Sequence, residues 1–211
     1  MSQIIKTNTL QFVYEQGLSF QFPDISLELG KHLLIVGPSG VGKTTLLHLL
    51  SGILPATSGS IFIDSTDIVS LKRKEIDIFR GTYIGLIFQQ YHFIKSLSLE
   101  DNLRLRQYYP QKSVDRKRRL ELIERLDLMD HRRKRVIQLS QGQKQRLSIA
   151  LGLIHQPKVI FADEPTSNLD DVNCSAVLKL LKEEAEHCGS SLVIITHDYR
   201  VKKHFTNYIE L

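Results

Sequence analysis

No apolar run in this sequence approaches the ~18 residues that a membrane-spanning helix needs. The start, Met1-Ser2-Gln3-Ile4-Ile5-Lys6, has no apolar core of the kind a secretory leader carries. Both absences point to a protein that stays in the cytosol and meets a membrane only through a partner. Cysteine is scarce. Cys174 and Cys188 lie in or beside one helical pattern, with no metal-type spacing and no His or Cys placed to complete a site. That excludes a disulfide framework or zinc module and leaves two reduced packing residues. No linker rich in Gly and Pro divides the chain, and no heptad is sustained along it. What remains is ordinary for a soluble globular protein: 211 residues, 42% hydrophobic and 24% charged, enough for one large domain or a core with a small insertion.

The charge is less even. A formal +5 at pH 7 suits an acidic partner such as nucleic acid, anionic headgroups or a nucleotide. Much of it sits in Arg116-Lys117-Arg118-Arg119 and Arg132-Arg133-Lys134-Arg135. Each run reads first as a solvated helix face or end, and only second as a binding patch.

The stretch Gly37-Pro38-Ser39-Gly40-Val41-Gly42-Lys43-Thr44 has the form G-x-x-x-x-G-K-[ST]. It follows the apolar run Leu33-Leu34-Ile35-Val36 and precedes Thr45-Leu46-Leu47-His48-Leu49-Leu50, which reads as strand, glycine loop and helix. Glycines let backbone N–H groups turn inward around an anion, and the new helix adds free N–H groups and the positive end of its dipole. Lys43 reaches β- and γ-phosphates in such a loop, and the Thr44 hydroxyl joins the shell of Mg²⁺. A nucleotide triphosphate is the natural ligand.

Around this loop the chain alternates in character. Thr9 to Tyr14, Leu18 to Phe22 and Ile25 to Leu29 show period two, predicting antiparallel strands with turns at Gly17 and Pro23-Asp24. Ser60 to Asp64 and Ile84 to Phe88 are further strands, the latter ending at Gln89-Gln90. From about Leu99 to Gln138 the sequence turns helical and highly charged, with Leu120, Ile123 and Leu126 at helical steps. A helix from Gln141 to His155 precedes the buried strand Val159 to Asp163, and a helix from Val172 to Ala185 precedes the strand Leu192 to Thr196. Near-continuous apolar strands separated by helices predict a parallel sheet covered on both faces, with polar residues gathered at its carboxyl edge.

Three groups at that edge carry possible chemistry. Asp163 and Glu164 close an apolar strand, so adjacent acids point in different directions: Asp163 is placed to hold Mg²⁺, Glu164 to polarise a water. Such a pair is otherwise a turn. Ser140 with Gln143 fits the capping box S-x-x-[EQ] at a helix start, and the same helix end, opened by Ser140 and Gly142, is a second anion site. One nucleotide seldom needs two cradles unless the second serves a neighbouring subunit.

Taken together, these residues resemble an ATP-binding cassette ATPase, the nucleotide-binding subunit of ABC transporters, over essentially the full chain. The glycine loop, Gly37 to Thr45, is similar to that family's Walker A, Val159 to Asp163 to its Walker B, Gln89 to its Q-loop glutamine, and Leu139 to Gln143 to its signature motif. Asp163-Glu164-Pro165-Thr166-Ser167-Asn168-Leu169-Asp170 runs from the Walker B acids into the D-loop, His197 stands where the family has its switch histidine, and Tyr14 is placed like the aromatic that stacks on adenine. The resemblance implies an α/β fold: a P-loop NTPase core of mostly parallel sheet (1–98 and 139–211), an N-terminal antiparallel β region, and a helical insertion subdomain at about 99–138. It implies a head-to-tail homodimer or heterodimer with two ATP molecules at the interface. Each ATP is held by the Walker A of one subunit and by Ser140, Gly142 and Gln143 of the other, with Asp170 beside it.

By the same resemblance, Gln89, Thr44 and Asp163 attend Mg²⁺, Glu164 is the general base and His197 contacts the γ-phosphate. The partner is an integral membrane, permease-type subunit, placing the chain in the cytoplasm, peripheral on the inner face of the cell membrane. Phe88 to Ile94 and the D-E-P-T-S-N-L-D run look most like the lipoprotein-release, macrolide-export and cell-division cassettes, a branch able to transmit mechanical force. Two residues depart from the pattern: Gln141 stands where the signature usually has Gly, and Leu151 where the following helix usually has Arg. The alternative is a repair or chromosome-maintenance ATPase acting on nucleic acid. Those relatives separate the motif halves with a long coiled coil, whereas the insertion here is roughly fifty residues without heptads. A small P-loop kinase would have no use for the Ser140 segment.

Overall fold

In the computed structural model, residues 3–109, 114–167 and 169–211 are described. The period-two opening forms β1 (Gln3–Val13), with Leu10 and Phe12 turned inward and Gln11 and Val13 outward. It starts six residues before the alternation at Thr9 would predict, because Ile4 and Ile5 are both buried across a bulge. β2 (Ser19–Gln21) and β3 (Ser26–Glu28) pair with it antiparallel. β4 (Leu33–Val36) leads through the glycine loop into α1 (Lys43–Leu50), and β5 (Ser58–Ile63) with β6 (Thr66–Asp67) completes the antiparallel sheet.

The rest of the chain builds a second sheet and its cover. α2 (Arg73–Tyr83) precedes β7 (Ile84–Ile87). The charged insertion supplies α3 (Leu99–Tyr108), capped by Ser98, and α4 (Arg116–Arg125), capped by Asp115. α5 (Gln141–Leu153), β8 (Val159–Asp163), α6 (Asp171–His187), β9 (Ser191–Thr196) and β10 (Tyr208–Glu210) follow. The sheet runs β10-β4-β9-β8-β7 and every pairing in it is parallel. Its three central strands are buried residue by residue, as a sheet covered on both faces requires.

Period two survives inside those apolar runs and sorts them into two cores. Leu33, Ile35, Val159, Phe161, Val193 and Ile195 pack with α1 and the antiparallel sheet. Leu34, Val36, Ile160, Ala162, Leu192 and Ile194 face the other way, into a cluster shared with α5, α6 and the insertion's Leu99, Leu103, Leu122 and Ile123. The insertion is therefore packed onto the sheet's cover rather than tethered beside it.

α2, β6, β10 and a 3₁₀ turn at Tyr199–His204 go beyond the sequence reading. The first basic run is split: Arg116 and Lys117 are exposed, whereas Arg118 and Arg119 are buried. Arg119 donates to Glu100 (3.2 Å) and to the Gln107 side-chain carbonyl (2.9 Å), and Arg118 reaches Cys188 Sγ (3.3 Å). Half of that run is thus internal structure and unavailable to an acidic partner. Both cysteines are free thiols. Among the described residues no helix is long and apolar enough to cross a membrane.

One contact fixes how α5 lies on the sheet. A Cβ on Gly85 of β7 would stand 2.3 Å from the Gly152 carbonyl oxygen of α5, and one on Gly152 would meet Ile87 at 2.9 Å. Helix and strand backbones touch here without intervening side chains. Gly85→Ala should lower stability by about 1–3 kcal/mol through overpacking against backbone, read as a lower urea midpoint at unchanged slope. An unchanged midpoint would mean that α5 is free to shift on β7.

Candidate functional site

β4 ends where space runs out. A Cβ on Gly37 would lie 2.6 Å from the Leu211 carbonyl oxygen, and Gly40 (φ +85°) and Gly42 (φ +99°) hold left-handed backbone that other residues resist. Gly42 also lies against the Phe20 ring, 2.6 Å from where its Cβ would be. The loop therefore presents Pro38, Ser39 and Gly40 to solvent, with Val41 half-buried, and α1 starts with no side chain capping its first N–H groups. Uncapped donors of this kind at a helix start suit an anion. Lys43 is buried and donates to the Gly37 and Pro38 carbonyls, at 2.9 and 2.8 Å. Its ammonium is held over the loop by neutral acceptors. Thr45 bonds the Tyr14 hydroxyl at 2.8 Å, and Tyr14 meets Phe12 and Phe20 edge-on.

The two acids diverge as their order on a strand requires. Asp163, 7% exposed, faces α1, with the Thr44 hydroxyl 3.3 and 3.5 Å from its two carboxylate oxygens. Burial pushes the Asp163 carboxyl above its ordinary range and the Glu164 charge adds to this, while Thr44, His48 and Lys43 offset part of it. His48, one turn along α1, is itself pushed down by burial, against the pull of Asp163. At Glu164 the backbone turns left-handed (φ +49°), and its N–H donates to the Ile195 carbonyl of β9 at 2.8 Å. The side chain swings to the end of that strand. Its carboxylate accepts from the Thr196 hydroxyl (2.8 Å), the His197 amide (3.0 Å) and His197 Nδ1 (2.8 Å). Because an ionised carboxylate only accepts, Nδ1 carries a proton and Nε2 is left for another partner.

The remaining sequence candidates flank this centre. Gln89, exposed just past β7, lines a cavity of about 340 Å³ together with Glu164, Gln141 and Gln145. Ser140 caps α5: its hydroxyl accepts the Gln143 amide (3.3 Å) and Gln143 returns a bond to the Ser140 N–H (2.9 Å). The capping box is therefore formed. Gly142 is different: nothing lies within 4 Å of where its Cβ would be, and its φ is not left-handed. Asp170 caps α6 by accepting the Asn173 amide (2.8 Å), and the Asn173 bonds hold its carboxyl below the usual range. Asn168 lies outside the described residues. Leu151 is half-buried against the core of the α5 face and Gln141 is exposed.

Some participants escaped the sequence reading. Thr196 was read only as the end of a strand, although a hydroxyl closing an apolar buried strand one residue before a histidine was a usable signal. Gln145, whose amide donates to the Pro165 carbonyl at 2.8 Å, ties α5 to the turn after the acids. Nothing local announces that pairing.

Comparison with known proteins identifies relatives of this chain. Residues 21–167 match the family described as ABC transporter. An uncharacterised ABC transporter ATP-binding protein of Methanocaldococcus jannaschii is 38% identical across 99% of this chain and 95% of its own length. The lipoprotein-releasing system ATP-binding protein LolD of Treponema denticola is 34% identical across 92% of this chain and 87% of its own. Among solved structures, the dimeric post-hydrolysis form of the ATP-binding cassette MJ0796, bound to ADP and Pi, superposes with a TM-score of 0.85 at 30% identity, covering 98% of this chain and 94% of that one. These likenesses favour the transporter reading over the nucleic-acid alternative.

Burial of Asp163 generates a test. A carboxyl with a raised folded-state pKa contributes stability that is fully present below its unfolded value, ordinarily 3.8, and lost as pH rises through the folded value. In metal-free buffer Asp163→Asn should therefore melt higher than the parent at neutral pH, with the gain vanishing toward pH 3.8 and below. A variant that melts lower at neutral pH would contradict the burial argument.

Proposed function

The chain belongs to the ABC transporter family as an ATP-binding, ATP-hydrolysing subunit, and from that premise we propose how its residues divide the work. The observation that carries the reading is the meeting of two pairs at one sheet edge, Thr44 with Asp163 and Glu164 with Thr196-His197. Lys43 exchanges the Gly37 and Pro38 carbonyls for phosphate oxygens, trading neutral acceptors for charged ones that bind about twice as strongly. The N–H groups of 39–45 complete the cradle. Tyr14 gives up Thr45 to lie against adenine.

The Thr44 hydroxyl, the Asp163 carboxylate and the Gln89 amide oxygen are hard donors of the kind Mg²⁺ selects. An ion held by these three groups would supply charge neutralisation to the phosphoryl oxygens. Glu164 takes the proton of the attacking water as general base, its carboxylate oriented by Thr196 and His197. His197 offers Nε2 to the γ-phosphate. Phosphoryl transfer asks a protein mainly for positioning and charge, and each of these groups supplies one or the other.

We further propose that two copies, or this chain and a close relative, associate head to tail, with Ser140, Gly142, Gln143 and Asp170 of one completing the ATP site of the other. The dimeric state of the MJ0796 cassette supports this, and so does Gly142. A glycine in a helical turn costs about 1 kcal/mol relative to alanine, and neither the φ nor the packing of this chain calls for it. Close approach from outside does. Residues 99–138 form the helical subdomain that carries this end of α5, and 1–98 with 139–211 form the nucleotide-binding core. A permease-type membrane subunit receives the stroke, with this chain peripheral on the inner face of the membrane.

Glu164→Gln should keep ATP binding, lose turnover by roughly a hundredfold or more, and accumulate as an ATP-bound dimer in size-exclusion chromatography with light scattering. Unchanged turnover would remove Glu164 as the base. Gly142→Ala should be as stable as the parent, or up to about 1 kcal/mol more so, yet fail to dimerise on ATP in the Glu164→Gln background. Dimerisation at the same ATP concentration would exclude a close contact at Gly142.

A further inference from the structure

The groups at the sheet edge are joined by a side chain that the mechanism above leaves idle. Arg200 lies in the 3₁₀ turn Tyr199–His204 that follows β9. Its Nε donates to both carboxylate oxygens of Asp198 (2.9 and 3.1 Å) and its Nη2 to Asp198 Oδ2 (2.8 Å). The same guanidinium reaches across to the start of α6, donating through Nη1 to the Asp171 carboxylate and through Nη2 to the Leu169 carbonyl at 3.3 Å. One planar fork therefore holds two loops that are about thirty residues apart in sequence, a span suited to arginine's five fixed donors and not to a lysine point charge.

Those two loops both end on the hydrolytic groups. The Asp198 amide donates to Thr196 Oγ1 at 3.0 Å, and the Thr196 hydroxyl donates to Glu164 at 2.8 Å. On the other side, the Ser167 amide donates to the Glu164 carbonyl at 3.1 Å and the Leu169 amide to the Thr166 carbonyl at 3.2 Å, and Asp171 opens α6 just beyond. Glu164 is thus clamped through both loops, and Arg200 closes the ring. Exposed ion pairs contribute little to stability, and the Arg200 side chain is 48% exposed. What a fork with this many partners does supply is geometry.

We propose that Arg200 is a positioning residue that locks the segment entering α6, at Leu169 and Asp171, to the Thr196–Asp198 strand end and so sets the orientation of Glu164 and His197 for hydrolysis. The proposal rests on reading Glu164 as the general base. It also gives the turn containing Asp170 a path to the base: a contact that moves this turn pulls on Asp198, and through Thr196 on the Glu164 carboxylate.

The test is steady-state Mg-ATP hydrolysis by the full chain carrying Arg200→Gln, Arg200→Lys, Asp171→Asn, or Arg200→Gln with Asp171→Asn. Arg200→Gln should lower kcat about tenfold, the scale of a small misplacement of a reacting group, while KM for ATP and the melting temperature hold. Arg200→Lys should recover part of the loss by keeping Asp198. Asp171→Asn should lose less than Arg200→Gln, and the double variant should fall no further than Arg200→Gln alone, because Asp171 acts through the arginine. Unchanged kcat in Arg200→Gln, losses that multiply in the double variant, or a fall in kcat matched by a fall in melting temperature each overturn the proposal. Glu164→Gln assayed alongside separates the two layers. If it retains full turnover, the reading of Glu164 has failed; if it is inactive while Arg200→Gln is normal, only the bridge has failed.

Discussion

An acid buried at the end of an apolar strand is the constraint to which the neighbouring structure is fitted. β8 carries Asp163 into register with Ile195 of β9, and both strands are buried throughout. A carboxylate there has lost most of its water, and burial makes its charge unfavourable. The groups that ease this charge, Thr44, His48 and Lys43, all come from the first turns of α1. α1 is held in that position by Leu46, Leu47, Leu49 and Leu50, which are buried in the core under the antiparallel sheet. The hydrophobic packing of the first half of the chain thus determines where the phosphate loop meets the acid of the second half.

Placing a second acid next to the first demands a sharp turn. A left-handed non-glycine residue costs on the order of 1–3 kcal/mol, and Glu164 holds that conformation at φ +49°. The cost is offset by what the turn gains: a backbone hydrogen bond from the Glu164 N–H to the Ile195 carbonyl and three donors on the carboxylate. A glycine in its place would relieve the backbone and remove the side chain. Strain here is concentrated where two neighbouring carboxylates have to serve different elements, Asp163 facing α1 and Glu164 facing the end of β9.

Legibility followed the range of the interactions. The glycine loop could be read because its requirements are local: left-handed φ at Gly40 and Gly42 and a lysine directly after. The parallel sheet could be read because burial on both faces leaves continuous apolar runs. α2 could not, since its buried residues are only Phe79 and Gly81 while Ile78 is exposed, so its apolar face does not stand out. β10 is three residues long and exists through its pairing with β4. The charge runs misled for the opposite reason. Arg118 and Arg119 are buried by partners on α3 and at Cys188, contacts across distances that no pattern of charge encodes. Arg200 belongs to the same class: beside its local partner Asp198, its partners at Leu169 and Asp171 converge on it only in three dimensions.

α5 is tied to its surroundings along its whole length. Its thirteen residues make a rod about 20 Å long, and it is held at three levels. Ser140 and Gln143 fix its first turn, Gln145 bonds the Pro165 carbonyl next to Glu164, and Gly152 rests on the backbone of β7, the strand that leads to Gln89. The insertion is fastened to the same layer, with Arg125 of α4 donating twice to the buried Glu184 of α6 and Arg146 of α5 bonding the Leu126 carbonyl. Removing one member of a buried pair is costly because it strands the other charge, so these ties resist independent drift of the insertion. A displacement applied at the exposed Ser140–Gly142 end is then carried along a stiff helix to Pro165 on one side and to β7 on the other. The Ser140–Gly142 end and the acids Asp163 and Glu164 are therefore tied through one helix, although they lie on different elements and more than twenty residues apart in sequence.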